Sequence, residues 1–315
     1  MKGLKYAAAI ALSLAFLALA AGIVGVGRIV ELMSRVDVPL LLLACAAHLC
    51  SVTLAAVRWK LLLPDSSLAE CFKGFSLGMF LSDVTPARSG IFGAAEYLKR
   101  RNGTPRARAV HALMLSQLFD FSFRTVILAG FLLLFFGALN AETLAMLVLF
   151  LALLNAATVV FLKPRAMVKI LKLPWPRFVK DPMSRYVEGA ADVRVMPRTI
   201  VAAYALTFVG WLAVSARWYL VWLALYGSAN FVLLAFSLSI AYLAAFLPAL
   251  GGIGSVELGA LALLTRLGLQ KDDIVTFVIL DRFVYVGTDL AASLPGALDM
   301  FRAHKRKARR KRLSA

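Results

Sequence analysis

The feature that most constrains this chain is a series of apolar runs about twenty residues long, the length at which a helix crosses roughly 30 Å of hydrocarbon at about 1.5 Å per residue. Such runs occupy residues 4–29, 38–57, 110–136, 143–162, 199–226 and 274–295. Two further stretches, 68–98 and 231–266, are apolar but broken in the middle by Pro and Gly, and read as interrupted helices. Hydrocarbon offers no partner to an open strand edge, so the runs predict an all-α polytopic membrane protein. Composition closes the soluble alternatives: 61% of residues are apolar and 17% charged, against about 45–50% and 25% in soluble domains. The net charge of +18 is therefore read without a nucleic-acid partner. Ala18-Leu19-Ala20 resembles a signal-peptide cleavage site, but the apolar run continues through it, so residues 4–29 are expected to remain as a span.

Orientation follows from where the basic residues collect. Lys2 and Lys5, the segments 58–108 and 163–198, and the stretch 302–312 hold 28 of the 35 lysines and arginines. The alternate connections are poor in base, which predicts both termini on the cytoplasmic side of the cell membrane. The basic tail, 297–315, is expected to lean on anionic headgroups at about 1 kcal/mol per charge. Within the 163–198 loop, Pro174-Trp175-Pro176-Arg177-Phe178 reads as an interfacial segment, with docking of a partner as the alternative. Cys45, Cys50 and Cys71 have no metal-binding spacing and read as buried thiols. No metal and no cofactor are expected.

The chain repeats itself. Arg58-Trp59 recurs as Arg217-Trp218 after 159 positions, and Pro86-Ala87-Arg88-Ser89-Gly90-Ile91 recurs as Pro248-Ala249-Leu250-Gly251-Gly252-Ile253 after 162. Glu96 matches Glu257, and Asp120 matches Asp281, both at an offset of 161. Two halves, 1–136 and 143–296, thus share one plan: span, span ending in Arg-Trp, interrupted hairpin, span. Three crossings in the first half are an odd number, so the second half is expected to run inverted, giving six full spans and two re-entrant hairpins. Residues 231–266 crossing twice, for about eight spans, is the open alternative. Broken backbone is tolerated at membrane depth only beside protein or a watery cavity, and paired broken helices in inverted repeats are a transporter pattern.

Polar residues inside such segments are the candidates for chemistry, because a charge at the bilayer centre costs about 3 kcal/mol or more. Gly251, Gly252 and Gly254, then Ser255 as an N-cap and Glu257 in the first turn, could present free N–H groups to a phosphate; a packing turn is the alternative reading. Arg88 and Arg282 stand beside the Gly/Pro breaks and are the expected anion contacts. Asp120, Arg124, Arg217, Asp281 and Asp289 are read as coupling or structural charges, with Asp120 pairing Arg124 and Arg217 pairing Asp289. Glu96, Asp120, Glu257 and Asp281 are the candidate proton carriers. His48 and His111 are read as packing or interfacial residues, and the two Arg-Trp pairs as interfacial anchors of helix ends. Neither G-x-x-x-x-G-K-[ST] nor a catalytic triad pattern appears, so neither ATP hydrolysis nor a catalytic role is expected.

The segment Leu247-Pro248-Ala249-Leu250-Gly251-Gly252-Ile253-Gly254-Ser255-Val256-Glu257 and the segment Asp281-Arg282-Phe283-Val284-Tyr285 resemble the P-x-x-GG-x-G-x-x-E and R-x-x-Y blocks of a flippase-like family. That family includes the transmembrane region of lysylphosphatidylglycerol synthases, the multiple peptide resistance factor group. Thr85-Pro86-Ala87-Arg88-Ser89-Gly90 is similar to its T-P-G-R-x-G pattern, and Tyr97-Leu98 with Arg100-Arg101 continues it. Ile91 stands where relatives place an acid, and Ser116-Gln117 where they place an E-R pair before the aspartate. The resemblance implies a lipid translocase for an anionic or aminoacylated phospholipid or a polyprenyl-phosphate-type lipid, with Arg88, Gly90, Glu96, Gly251, Gly252, Gly254, Ser255, Glu257, Arg282 and Tyr285 around the headgroup. No aminoacyl-transferase domain accompanies these blocks, so a lipid-modifying enzyme is an expected partner. A headgroup enzyme and a non-transporting partner are the alternative readings, and an oligomer is left open.

Overall fold

The computed structural model describes residues 34–83, 85, 90–136, 141–162, 195–228, 230–244 and 255–313, with positions 27, 31, 181, 184 and 186–188. The regular elements among them are helices: α1 Val38–Leu62, α2 Leu68–Asp83, α3 Phe92–Asn102, α4 Arg106–Phe136, α5 Ala141–Leu162, α6 Pro197–Tyr226, α7 Phe231–Ala244, α8 Ser255–Arg266 and α9 Lys271–Leu313. Local chemistry sets several boundaries. Asp37 caps α1 by accepting the Leu40 N–H at 3.2 Å, and Asn230 caps α7 by accepting that of Leu233 at 3.0 Å. Ser67 and Glu70 form a reciprocal capping box at the start of α2, with bonds of 2.9 and 3.2 Å. Helix α8 ends in a Schellman turn: Gly268, at φ +88°, donates to Thr265, and Leu269 donates to Leu264.

Val38–Leu62, Arg106–Gly130 and Pro197–Tyr226 are long and apolar enough to cross a membrane. Residues 274–295 are helical too, but lie within α9 and carry Asp281, Arg282 and Asp289. That helix runs on through Pro295 to Leu313 without a break. Helices α7 and α8, of 14 and 12 residues, are shorter than a full crossing and pack against each other. The described helices of the two interrupted stretches end at Asp83 and Ala244 and resume at Phe92 and Ser255. The run 4–29, most of the 163–198 loop and the glycine turn 251–254 lie outside the described residues.

Two compact units interleave along the chain. One comprises residues 1–53, 76–93 and 209–294; the other comprises 54–75, 94–208 and 295–315. The first is built around Trp218, Trp222 and Phe277, whose rings meet edge to face, with Leu234, Leu238, Ala260 and Leu264 from α7 and α8. In the second, Trp59 packs on Phe75, Phe119 on Tyr204 and Phe123 on Phe208. Leu42, Leu43, Leu149, Leu153 and Val201 are exposed, the arrangement lipid requires and water would penalise. All three cysteines are free thiols. Cys71 is buried as expected, whereas Cys50 is exposed on α1, because its side of that helix also carries exposed Leu42, Leu43 and Leu49 rather than core neighbours.

Candidate functional site

In the first unit, helix periodicity alone aligns three residues of α9: Asp281, Tyr285 and Asp289 recur at intervals of four and so share one face. Against that face α6 presents Arg217 and α1 presents His48. The Arg217 guanidinium grips Asp281 twice, with Nε 2.9 Å from Oδ1 and Nη2 donating to Oδ2 at 3.0 Å. Trp218 Nε1 donates to the same Oδ2 at 2.9 Å. Arg217 Nη1 lies 3.0 Å from His48 Nδ1, and His48 Nε2 lies 3.1 Å from Asp289 Oδ1. Four side chains from three helices thus form one continuous chain, Asp281–Arg217–His48–Asp289.

A guanidinium only donates. His48 Nδ1 must therefore be the acceptor, and the imidazole carries its proton on Nε2, which donates to Asp289. The second arginine sits next to this chain. Arg282 is ion-paired with Glu257 of α8 and lies over the Tyr285 ring at 5.3 Å, while Arg217 approaches the same ring at 5.1 Å. Asp83, at the end of α2, is buried and within electrostatic reach of Arg282 and His48.

The second unit contains a twin. Arg58 Nη1 and Nη2 donate to the two carboxylate oxygens of Asp120 at 2.6 and 2.7 Å, and Nη1 also donates to Thr207. Arg58 and Arg217 are the repeated arginines, and Asp120 and Asp281 the repeated aspartates, so equivalent residues of the internal repeat are ion-paired in both copies. The copies differ beside the arginine. Trp218 binds its aspartate, whereas the buried Trp59 Nε1 has no hydrogen-bond partner among the described residues.

Several sequence expectations are corrected by this geometry. Asp120 takes Arg58 and Asp281 takes Arg217, long-range partners that the local reading did not name. Arg58 reaches Asp120 through two charge-assisted N–H···O bonds, and Arg217 reaches Asp281 through Nη2 with Nε in ion-pair range, so each desolvated guanidinium faces a carboxylate. The Arg-Trp pairs do not anchor helix ends at the interface: Arg58, Trp59, Arg217 and Trp218 are only 4, 0, 0 and 2% exposed. His48 and His111 are likewise bonded rather than merely packed, His111 Nδ1 lying 2.7 Å from the Tyr186 hydroxyl. Sequence reasoning gave His48 only a packing or interfacial role and did not name Thr207, although a histidine in the middle of an otherwise apolar span was a signal of a buried polar partner.

The remaining expected residues fall into three groups. Glu257, Arg282, Tyr285, Arg217, Asp281 and Asp289 come together in the first unit. Glu96 belongs to the second unit, where it accepts from Arg100 at 2.6 Å and pairs with Arg106. Arg124 also belongs there. Arg88, Gly251, Gly252 and Gly254 lie outside the described residues, as does the Ser255 side chain, although Ser255 opens α8 and Glu257 stands in its first turn. Gly90 holds the backbone of its turn together. Its N–H donates to Thr85 Oγ1 at 2.7 Å, Thr85 donates to the Leu81 carbonyl, and a Cβ at Gly90 would overlap the Leu81 backbone. Among the described residues no cluster of three or more metal-ligating side chains occurs.

A helical chain with lipid-facing apolar sides and arginine–carboxylate pairs sequestered inside it is an integral membrane protein built around buried polar sites. Residues 6–293 match the family described as lysylphosphatidylglycerol synthase TM region, and the chain belongs to that family. It is also similar to UPF0104 membrane protein PH1989 of Pyrococcus horikoshii, 25% identical over 294 aligned positions that cover 82% of this chain and 87% of the relative. No solved structure matches significantly.

Proposed function

We propose that this protein is a lipid translocase that moves an anionic phospholipid or related lipid phosphate between the leaflets of the cell membrane, without ATP hydrolysis and without altering the headgroup. The observation that carries this reading is the convergence of Arg217 and Arg282 on the single ring of Tyr285, inside an apolar helical unit. Two guanidiniums over one aromatic ring supply charged donors for a phosphate whose acyl chains stay in lipid. Glu257 holds Arg282 in the meantime, and a phosphate oxygen can take over from that carboxylate. Membership of a family named for a lipid-modifying enzyme's membrane region supports a lipid substrate. In this reading the sequence repeat is an inverted pair of halves with both termini cytoplasmic. The two broken stretches enter as hairpins, and Arg88 and the 251–254 turn contribute further donors to the headgroup. A lipid-modifying enzyme is the expected source of the substrate.

Reconstitution into phosphatidylcholine vesicles containing a trace of fluorescent phosphatidylglycerol tests it. Wild-type protein should render the inner-leaflet probe accessible to an external quencher, and Arg282→Ala should slow this about 10–100-fold, the loss of one charge-assisted bond of about 1.5–3 kcal/mol. Vesicles with wild-type protein that behave like protein-free ones reject the translocase. Activity appearing only with an added lipid-modifying enzyme assigns a partner role instead, and a chemically converted headgroup assigns an enzyme.

A further inference from the structure

The chain Asp281–Arg217–His48–Asp289 contains a mutual exclusion. His48 Nδ1 receives the Arg217 N–H at 3.0 Å. If a proton from water binds Nδ1, the imidazolium presents an N–H to the N–H of a guanidinium, and two donors and two positive charges face each other. Protonation of His48 and its bond to Arg217 are therefore alternatives. The proton has a place to stay, because Nε2 already faces Asp289 and the resulting imidazolium–carboxylate pair is buried. The N–H that Arg217 withdraws from His48 is a charged donor that a phosphate oxygen can accept. Arg217 shares the Tyr285 ring with Arg282, which makes a phosphate at that ring the acceptor assigned to it.

We propose that His48 and Asp289 form a proton-binding site that fills as Arg217 leaves His48 for an anionic headgroup, so that one proton travels with each singly charged lipid. The proposal rests on the translocase reading and names its coupling ion. Proton balance is simple: one proton is taken from water by His48 Nδ1 on the loading side, held against Asp289 during the transition, and returned to water when the phosphate departs and Arg217 resumes its bond. No other bond forms or breaks. The groups that face His48 are Arg217 from α6, Asp281, Tyr285 and Asp289 from α9, and Asp83 from α2. Three of the four carriers expected from sequence are gripped by arginine in forks or close pairs, namely Asp120, Glu257 and Asp281. The fourth, Glu96, is held by Arg100 and Arg106. His48 and Asp289 face one another through a hydrogen bond that a proton can cross.

The test uses the full chain in phosphatidylcholine vesicles with fluorescent phosphatidylglycerol, whose phosphodiester does not titrate near neutrality. With one proton per lipid, transport is electroneutral. A one-unit pH difference across the membrane should shift the final distribution of the probe up to about tenfold toward the alkaline side, and a potassium diffusion potential set with valinomycin should not shift it. His48→Gln offers an acceptor to Arg217 and a donor to Asp289 but takes no proton, so the probe distribution it supports should follow the diffusion potential and ignore the pH difference. Wild-type protein that moves the probe yet responds only to the potential overturns the proton site and leaves the translocase standing. A His48→Gln response equal to wild type overturns it too. Absence of any movement removes both.

Discussion

Arg217 donates through Nη1 to Nδ1 of His48 at 3.0 Å while its other two nitrogens hold Asp281, so one guanidinium fixes both a carboxylate and a histidine tautomer. His48 should be a neutral imidazole with its proton on Nε2. The chain has three histidines, and nitrogen-15 labelling with His48→Gln for assignment resolves it. A pyridine-type Nδ1 and a pyrrole-type Nε2 are expected in the absence of lipid; a pyrrole-type Nδ1 is incompatible with the Arg217 contact.

The twin arginine–aspartate pairs should differ in their contribution to stability. Asp281 is 8% exposed and Asp120 29%, so water relieves an orphaned Arg58 more readily than an orphaned Arg217. Asp281→Ala should cost about 3–5 kcal/mol, the range for stranding a buried partner, and Asp120→Ala distinctly less. Replacing both members, as Arg217→Met with Asp281→Leu, should recover most of the loss. Unfolding in detergent micelles measures this, and equal losses at the two aspartates would contradict the burial argument.

Gly90→Ala should destabilise by about 1–3 kcal/mol or prevent folding, because the new Cβ meets the Leu81 backbone, which cannot yield as a side chain can. Gly287→Ala, within α9 and with nothing within 4 Å of its Cβ, should be neutral or stabilising by up to about 1 kcal/mol. Thermal unfolding of the two variants should separate them clearly; a tolerated Gly90→Ala would mean the turn is looser than this contact implies.

Acid should weaken the second unit at its polar rim. Lys73, donating at 2.9 Å, holds the Asp299 carboxyl below its usual 3.8, with Tyr97 adding a further bond. The bond from Arg100, with Arg106, holds Glu96 below its usual 4.5. Both acids bind protons more weakly folded than unfolded, so their stabilisation is complete above those ordinary values and drains away as pH falls through the lower folded ones. The unfolding midpoint should stay level from pH 8 to about 5 and decline below about 4.5. Asp299→Asn should lower it at neutral pH and shallow the acid decline; an unchanged profile would show that Lys73 contributes nothing.

The repeat shows where sequence reading stopped. Its landmarks, Arg58 with Arg217 and Asp120 with Asp281, were visible as a common offset, and α2 with α3 and α7 with α8 flank the Pro/Gly positions. Their pairing was not visible, because partners 62 and 64 positions apart are joined by helix packing, whereas the i,i+4 spacing of Asp120 and Arg124 suggested a local bond. The glycine turn and Arg88 drew most of the sequence argument. His48, a lone histidine without a motif, drew almost none, and it is the residue that links the Arg217–Asp281 pair of α6 and α9 to Asp289.

Taken alone, the order of residues settled that this chain is helical, lives in a membrane and belongs to a lipid-related family, because hydrocarbon thickness imposes run length and each broken run must carry its Pro or Gly. Which charges neutralise which was decided by tertiary structure. A buried ion chooses whichever partner can desolvate with it in good geometry, and that choice depends on how distant helices face one another rather than on their spacing along the chain.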